Sequence, residues 1–297
     1  MSDKRGVFDR AMNYYDREYK KLLFIPIVLL LLSFIIIGTN YAQTGEFFQK
    51  GVSLKGGTTL SVFDITTDII ELEAYLSEQF PDLDVYTRSL TKAGAQVGII
   101  VEASTQDSSE LINAVELKIG ELSKDQYTVD TTGPSLGKAF FAQAIFAVIL
   151  AFLFMAVVVY IYFRAALPCS YIIFAAIADI IFALAMVNVF NIKLTTAGVA
   201  AFLMLIGYSV DTDILLTTRI LKRKEGTIES RVRSSISTGL TMTFAAIAAT
   251  VVAYYSTQSE IMKQIMFILF WGLVADIINT WFTNVGLLRW YVEKKSR

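Results

Sequence analysis

Six stretches of this chain are long and apolar enough to cross a membrane as helices. A bilayer core needs about 20 apolar residues per helix. The first run, Leu22–Gly38, follows a charged head and lacks the small-residue cleavage site of a signal peptide, so we expect an anchor. The later runs are separated by short polar breaks: Phe140–Tyr162, Pro168–Phe190, Thr196–Thr217, Ser237–Tyr255 and Ile261–Tyr291. The pattern predicts a polytopic α-helical membrane protein with six transmembrane helices, here called spans one to six.

A polar segment, residues 39–139, separates span one from span two. Alternating apolar and polar positions predict its strands, and apolar positions three to four residues apart predict its helices. In chain order these are strand Val52–Phe63, helix Thr67–Phe80, strands Leu83–Leu90 and Gln96–Glu102, helix Ser108–Leu122 and strand Gln126–Asp130. This order is that of the split βαβ arrangement. We therefore expect one α+β ferredoxin-like domain between transmembrane helices 1 and 2.

The distribution of lysine and arginine predicts which side of the membrane each segment faces. With six spans, 17 of the 26 basic residues fall on one side: residues 1–21, the loop 218–236, the tail from Arg289, and Arg164. We therefore expect residues 1–21 and 292–297 to be cytoplasmic. Span one is assigned to residues 22–38, and spans two to six to residues 140–291. The domain at 39–139 is then extracytoplasmic, and the protein belongs in the cytoplasmic membrane.

Charge also bears on partners. The segment 39–139 carries 15 acidic and 7 basic residues, which suits a soluble surface or, alternatively, a basic partner. The basic loop 218–236 is expected to fix the topology by contacting anionic membrane lipid. Docking of another protein on this loop is the alternative.

Composition excludes several kinds of site. The chain has 297 residues, 55% of them apolar, no histidine and a single cysteine, Cys169. These counts argue against a metal centre or an internal disulfide. The segment Gly133–Lys138 is one residue too short for a phosphate-binding loop, and no Ser or Thr follows its lysine. We expect no cofactor, no metal, no nucleotide, no nucleic acid and no enzymatic activity.

Four carboxylates lie inside the predicted spans: Asp179, Asp211, Asp213 and Asp276. A charge in the bilayer core is unfavourable by roughly 2.5–3.5 kcal/mol even on lenient insertion scales. Membrane helices keep such groups where they pair, line a polar path or titrate. The four are therefore candidates for a proton relay, and the alternative is polar contact that merely holds helices together. Asp179 lies among Ala, Ile and Phe, which predicts an isolated group.

Polar side chains near these carboxylates predict a polar seam between spans four, five and six. Asp211 and Asp213 are about 200° apart around a helix, so they face nearly opposite sides. Span six carries Asp276, Asn279, Thr280 and Thr283 at helical spacing. Span five carries a stripe of small and hydroxyl residues: Ser234, Ser237, Thr241, Ala245 and Ala248. The predicted seam residues are Tyr208, Ser209, Thr241, Asn279 and Thr280.

Three motifs resemble those of a known family. They are GVSLKGGT from Gly51, TGPSLG from Thr132 and GYSV from Gly207, the last followed by Asp-Thr-Asp. Their characteristic residues are Gly51, Gly56, Gly57, Gly133, Pro134, Gly137 and Gly207. Their spacing covers nearly the whole chain. The chain resembles the SecD/SecF family of protein-export membrane proteins, part of the resistance-nodulation-division (RND) superfamily, and is more similar to archaeal than to bacterial members.

The resemblance implies an accessory subunit of the Sec machinery that forms a heterodimer with SecD, meets the Sec translocon and unfolded preprotein, and uses the proton motive force. Bacterial members have G-Y-S-V-N-D-T in span four and an arginine in span five. Here Asp211 and Asp213 flank the position of the bacterial Asp, and Met242 matches the arginine. Two alternatives stay open: half of an RND-type transporter of small molecules or lipids, and a scaffold that transduces no energy.

Overall fold

The computed structural model describes residues 15, 17–92, 95–223, 225–257 and 259–295. Six of its helices are long and apolar enough to cross a membrane. A four-stranded antiparallel sheet lies between the first and second of them. The predicted fold class, a six-helix membrane protein with a small α+β domain, is therefore confirmed.

The elements follow one another without long irregular connections. In chain order they are α1 (Phe24–Thr44), α2 (Val52–Lys55), β1 (Gly57–Phe63), α3 (Ile69–Gln79), β2 (Val85–Lys92), β3 (Ala95–Ala103), α4 (Ser108–Ile119), β4 (Tyr127–Thr132), α5 (Pro134–Phe163), α6 (Ala166–Val189), α7 (Thr196–Leu221), α8 (Ile228–Ser256), α9 (Glu260–Ile278) and α10 (Val285–Lys295). A π-helical segment, Asn279–Asn284, joins α9 to α10 within the last span. Spans one to six are thus α1, α5, α6, α7, α8 and the continuous run from α9 to α10.

The α+β domain is a sheet with two helices packed on one face. The strand order is β2-β3-β1-β4, and all neighbouring strands are antiparallel, which is the ferredoxin-like arrangement. Leu60 and Val62 of β1 pack with Leu72 of α3 and Val115 of α4 in one buried cluster. The carboxylates of Asp68 and Asp107 accept hydrogen bonds from the first turns of α3 and α4, so side-chain caps start both helices.

The predicted strand Val52–Phe63 is wrong in its first part. Residues Val52–Lys55 form the short helix α2, and the strand begins only at Gly57. The change of direction uses positive φ angles at Gly56 and Gly57, +96° and +138°. A Cβ atom on Gly56 would lie 2.6 Å from the Cα atom of Pro134, so only glycine permits this approach of α2 to the start of α5.

The membrane bundle has an inner and an outer set of helices. The helices α6, α7 and α9 are the most buried, whereas α1 and α5 expose most of their surface. One buried cluster of the bundle contains Leu194, Phe202, Leu205 and Ile268, and Leu54 of α2 packs into it from the domain side. The domain therefore inserts a side chain into the end of the bundle.

Hydrogen bonds also tie the domain to the bundle. The Gly51 N–H donates to the Leu194 carbonyl at 2.8 Å, and the Leu194 N–H donates to the Gln49 carbonyl at 2.8 Å. The ammonium of Lys263, at the start of α9, donates to the Thr91 carbonyl of β2 at 2.7 Å. The domain is thereby fixed to the α6–α7 loop and to α9, at what we call the domain-side end of the bundle.

Candidate functional site

Three carboxyl groups are buried in the centre of the membrane bundle. Asp179 of α6, Asp213 of α7 and Asp276 of α9 each have 0% exposed surface. They come from the three most buried helices, and each is linked to the last span by a hydrogen bond or belongs to it. We call these three residues the carboxylate cluster.

Asp179 has two hydrogen-bond donors. Its Oδ2 atom accepts from the Ser209 hydroxyl at 2.6 Å, and its Oδ1 atom accepts from the Asn279 amide at 2.7 Å. The prediction that Asp179 is isolated is therefore wrong, because its partners lie on α7 and on the last span and not on its own helix. Two predicted seam residues, Ser209 and Asn279, meet at this carboxyl group.

Thr280 lies between the other two carboxyl groups. Its hydroxyl oxygen is 2.8 Å from Asp213 Oδ1 and 3.1 Å from Asp276 Oδ1. A hydroxyl group has one hydrogen to donate and accepts through its lone pairs. The single hydroxyl hydrogen makes one strong hydrogen bond, so both contacts are strong only when one of the two carboxyl groups carries a proton and donates it to Thr280. Thr280 thus joins α7 to the last span through one hydroxyl group.

Among the described residues, no cation pairs with the cluster. None of their ion pairs involves Asp179, Asp213 or Asp276. The Oδ2 atoms of Asp213 and Asp276 are buried without a hydrogen-bond partner. Within the described part of the chain, no group of three acidic or cysteine residues is arranged to hold a metal ion. An unpaired charge in such a buried site is strongly unfavourable.

The π-helical segment Asn279–Asn284 places polar side chains around the cluster. A π-helix has a wider turn than an α-helix, and short π segments occur frequently at functional sites. Here the wider turn leaves Asn279, Thr280, Thr283 and Asn284 all buried, with at most 6% exposure. Asn284 was not predicted as a site residue, although it lies at i+8 from Asp276 and so continues the same helical stripe. Its amide nitrogen and oxygen are buried without a hydrogen-bond partner.

Asp211, Tyr208 and Thr241 lie outside the cluster. Asp211 and Tyr208 are exposed on α7, and Thr241 is exposed on α8 with its hydroxyl bonded to the Ser237 carbonyl of its own helix. The prediction of Tyr208 and Thr241 as residues of the polar seam is wrong. Asp211, a predicted relay candidate expected on nearly the opposite side of its helix from Asp213, is the exposed one of the two. Because Asp211 and Asp213 are about 200° apart around α7, Asp211 faces outward and Asp213 faces inward. On α8, the buried face includes Gly239 and Thr243 and not Thr241.

The exposed residues of α7 form a regular stripe. Met204, Gly207, Tyr208 and Asp211 are exposed at positions i, i+3, i+4 and i+7. A Cβ atom on Gly207 would meet nothing within 4 Å, so packing inside this chain does not require glycine there. On the neighbouring α8, Ser237, Thr241, Met242, Ala245 and Ala248 are exposed as well. We call these residues of α7 and α8 the outward stripe.

The other two motifs meet at the joint between the domain and α5. A Cβ atom on Gly137 would lie 2.8 Å from the Gly56 nitrogen, and one on Gly57 would lie 2.3 Å from the Ala103 carbonyl oxygen. Gly133 and Pro134 form the first turn of α5, with proline at a position that needs no N–H donor. Gly51 bonds to the α6–α7 loop. Gly56, Gly57 and Gly137 therefore permit close backbone contact at this joint.

Fold and site together define a multi-pass membrane protein with titratable groups in its membrane core and a ferredoxin-like domain docked on one end. The family model described as protein export membrane protein SecD/SecF, C-terminal, matches residues 113–294. The chain belongs to this family of protein-export membrane proteins, and its role is that of an accessory subunit in Sec protein translocation.

Named relatives cover nearly the whole chain. The protein-export membrane protein SecF of Pyrococcus furiosus is 36% identical over 282 residues, covering 95% of this chain and 94% of the relative. SecF of Thermococcus gammatolerans is 38% identical over 281 residues, with coverages of 93% and 86%. Both relatives are archaeal, as the resemblance of the motifs predicted.

A solved structure shares the fold. The crystal structure of SecDF, a translocon-associated membrane protein from Thermus thermophilus, matches with a TM-score of 0.73 at 15% identity. The match covers 94% of this chain and 38% of the SecDF chain. The chain thus corresponds to less than half of that larger protein.

Proposed function

We propose that this protein works with SecD as a heterodimer at the Sec translocon and uses proton movement through the carboxylate cluster to promote preprotein export across the cytoplasmic membrane. The observation that carries the proposal is the contact of one Thr280 hydroxyl with both Asp213 and Asp276 in the absence of any cationic partner among the described residues. Movement of a proton between these groups changes which group donates and which accepts at the contact of α7 with the last span.

The cluster supports a two-state element. With one proton shared, Thr280 bonds to both carboxyl groups and holds α7 and α9 together. With both groups ionised, Thr280 can donate to only one of them, and two like charges face each other in a buried site, where repulsion is strong. Loss of the proton therefore favours separation of the two helices, and uptake of a proton favours their contact.

The last span connects the cluster to the domain. Lys263 and Gln264 lie about 20 Å from Asp276 along the helix, at 1.5 Å per residue. Lys263 bonds to Thr91 of β2, and Gln264 bonds to the α6–α7 loop through the Lys193 carbonyl at 2.7 Å. A shift of α9 thus moves the contacts of the domain directly. In the proposed mechanism the domain, which faces outward from the cell, engages the emerging unfolded preprotein.

The outward stripe supports pairing with a second membrane bundle. Asp211 lies about 15 residues into a 26-residue span, where an exposed carboxylate facing lipid is unfavourable. The stripe beside it offers a glycine, three hydroxyl groups and alanines, which permit close helix approach and hydrogen bonding across a membrane interface. SecD is the proposed occupant. The proposed topology keeps both termini in the cytoplasm and residues 39–139 outside, as the lysine and arginine distribution predicts.

Copurification tests the pairing. The tagged protein is purified in mild detergent from cells that also express SecD, and SecD is quantified in the eluate. We expect near-stoichiometric SecD with the unaltered protein and a loss of at least about tenfold with Gly207→Leu, since close approach at that glycine is removed. Gly38→Leu is the matched control, because Gly38 is likewise an exposed membrane-helix glycine with nothing within 4 Å of its Cβ position.

Equal recovery of SecD with Gly207→Leu contradicts the proposed interface. Recovery of the unaltered protein only as a homo-oligomer contradicts the heterodimer itself and returns small-molecule or lipid transport as the leading function.

A further inference from the structure

A second polar feature of the bundle lies at the end opposite the domain. A cavity of about 600 Å³ is formed there by the last turns of α5 and the residue after α7. Its walls are Val158, Ile161, Tyr162, Phe163, Arg164 and Lys222. None of these residues takes part in the carboxylate cluster or the outward stripe, so the cavity calls for a separate explanation.

Two cations share this cavity without a counter-anion. Neither Arg164 nor Lys222 belongs to any ion pair of the described residues. Arg164 ends α5 in the left-handed conformation, with its N–H bonded to the Tyr160 carbonyl at 2.8 Å. The Lys222 ammonium lies 3.5 Å from the centre of the Tyr162 ring. This cation–π contact holds the α7 cation against α5, on the same cavity as Arg164.

The part of the cavity wall formed by Val158 and Ile161 is apolar and faces outward. Val158 and Ile161 are 60% and 65% exposed on the membrane-facing side of α5. Tyr162 is also exposed, and along the chain it follows Val158 and Ile161 and precedes Arg164. Aromatic side chains are typical of the depth at which lipid head groups meet the hydrocarbon core. The cavity therefore presents positive charge, aromatic rings and an apolar surface in the order that a lipid molecule needs.

We propose that this cavity binds an anionic membrane lipid, with the phosphate between Arg164 and Lys222 and an acyl chain along Val158 and Ile161. Charge complementarity requires an anion, and the exposed apolar wall favours a lipid over a free phosphate. Basic pockets between transmembrane helices bind anionic head groups in this manner. The inference does not depend on the proposed proton coupling or on SecD.

Native mass spectrometry of the purified protein in detergent tests the site. Dioleoyl phosphatidylglycerol is the anionic probe, and dioleoyl phosphatidylcholine is the zwitterionic one. We expect preferential binding of one phosphatidylglycerol, weakened roughly 10- to 30-fold in the double variant Arg164→Gln and Lys222→Gln, since each cation near a head group contributes about a factor of five. The charge-conserving double variant Arg164→Lys and Lys222→Arg should retain binding and excludes a folding defect.

The matched control removes two other cations from the same end of the bundle. Lys20 and Lys294 also lie over aromatic rings, those of Tyr19 and Trp290, at 5.7 and 5.4 Å. The double variant Lys20→Gln and Lys294→Gln should bind phosphatidylglycerol within about twofold of the unaltered protein, because these cations lie outside the cavity. Three results overturn the proposal. They are an equal loss of phosphatidylglycerol binding in the control variant, equal binding of the two lipids by the unaltered protein, and displacement of the bound lipid by equimolar inorganic phosphate.

Discussion

Thr280 joins two helices of the membrane core through a single hydroxyl group. Its oxygen contacts Asp213 on α7 and Asp276 one turn earlier on its own span. Both partners are fully buried, and both have a second oxygen without a hydrogen-bond donor. In the proposed function, the protonation of this pair decides how strongly the two helices are held together.

Thr280→Val removes this hydroxyl group with almost no change of shape. We expect the proton-gradient-dependent part of preprotein export to fall roughly tenfold, which corresponds to the loss of one hydrogen bond to a charged group, about 1.5 kcal/mol. Thr280→Ser keeps the hydroxyl and should keep the activity. Export into membrane vesicles, measured with and without a protonophore, separates the gradient-dependent part. Unchanged gradient dependence in Thr280→Val contradicts the role of this residue.

Gly239 of α8 allows this helix to pack closely against the Trp281 ring. A Cβ atom at this position would lie 2.3 Å from the Trp281 ring. Gly239→Leu should lower the free energy of unfolding by about 1–3 kcal/mol, the usual effect of overpacking. Thermal unfolding of the purified subunit in detergent measures the change. Gly207→Leu, on the neighbouring helix where nothing lies within 4 Å, should leave the unfolding temperature of the isolated subunit nearly unchanged. Equal destabilisation by both variants contradicts this assignment of the two glycines.

Residue types could be predicted from the sequence more reliably than their partners. Asp179, Asp213 and Asp276 were predicted as relay candidates because carboxylates in apolar spans are conspicuous in any sequence. Which carboxylate faces inward depends on how whole helices are rotated against one another. The sequence therefore predicted Asp211 and Asp213 on opposite faces of α7 but did not predict that Asp211 lies outside the cluster.

At the level of elements, the π-helical segment Asn279–Asn284 is the feature that local sequence could not predict. Helical periodicity assumes about 3.6 residues per turn, and the stripe from Asp276 to Thr283 fits that period. Asn284, at i+8 from Asp276, also fits that period, so its side of the helix could be predicted from the sequence but the π-helical geometry could not. The start of β1 also differs from the local pattern. Residues Val52–Lys55 form α2 where a strand was predicted, because Gly56 packs closely against the start of α5.

The contact of Lys263 with β2 is the element-level link between bundle and domain. Lys263 is 8% exposed, and its ammonium donates to the Thr91 carbonyl at 2.7 Å and to Glu260 at 3.0 Å. Lys263→Met removes these bonds, which contribute about 1.5–3 kcal/mol when one partner is charged. We expect amide hydrogen exchange at the end of β2 to become roughly tenfold faster, as measured by mass spectrometry.

Lys118→Met is the control for this experiment. Lys118 pairs with Glu71 at 2.6 Å on the two domain helices, and the Glu71 side chain is largely exposed. An exposed pair contributes little, so exchange at β2 should stay as in the unaltered protein. Equal exchange rates in Lys263→Met and the unaltered protein contradict the proposed link between α9 and the domain.

On the scale of the whole molecule, span number and domain type could be predicted because each depends on local patterning. Twenty-residue apolar runs and alternating strands are properties of single segments. The docking of the domain on the α6–α7 loop and α9 depends on contacts between residues far apart in the chain, such as Gly51 with Leu194. No local pattern encodes such contacts, which is why the motifs predicted the family but not where the domain docks on the bundle.

The outward stripe is the part of the bundle where the proposed SecD contact lies. Asp211 and the other stripe residues present polar groups toward the space that lipid or a partner occupies. Asp211 of the stripe and Asp213 of the carboxylate cluster lie on the same helix, α7. In the proposed function, pairing at the stripe therefore influences how α7 packs against α9.

The central claim is that the buried cluster, and not the exposed carboxylate, carries the protons that drive export. Protonophore-sensitive export of a preprotein, normalised to the amount of copurified SecD, compares Asp213→Asn with Asp211→Asn on the same helix. The proposed function predicts that Asp213→Asn keeps SecD but loses the protonophore-sensitive part by at least about tenfold, whereas Asp211→Asn retains most of it. Full protonophore-sensitive export in Asp213→Asn, or its loss only in Asp211→Asn, contradicts the claim.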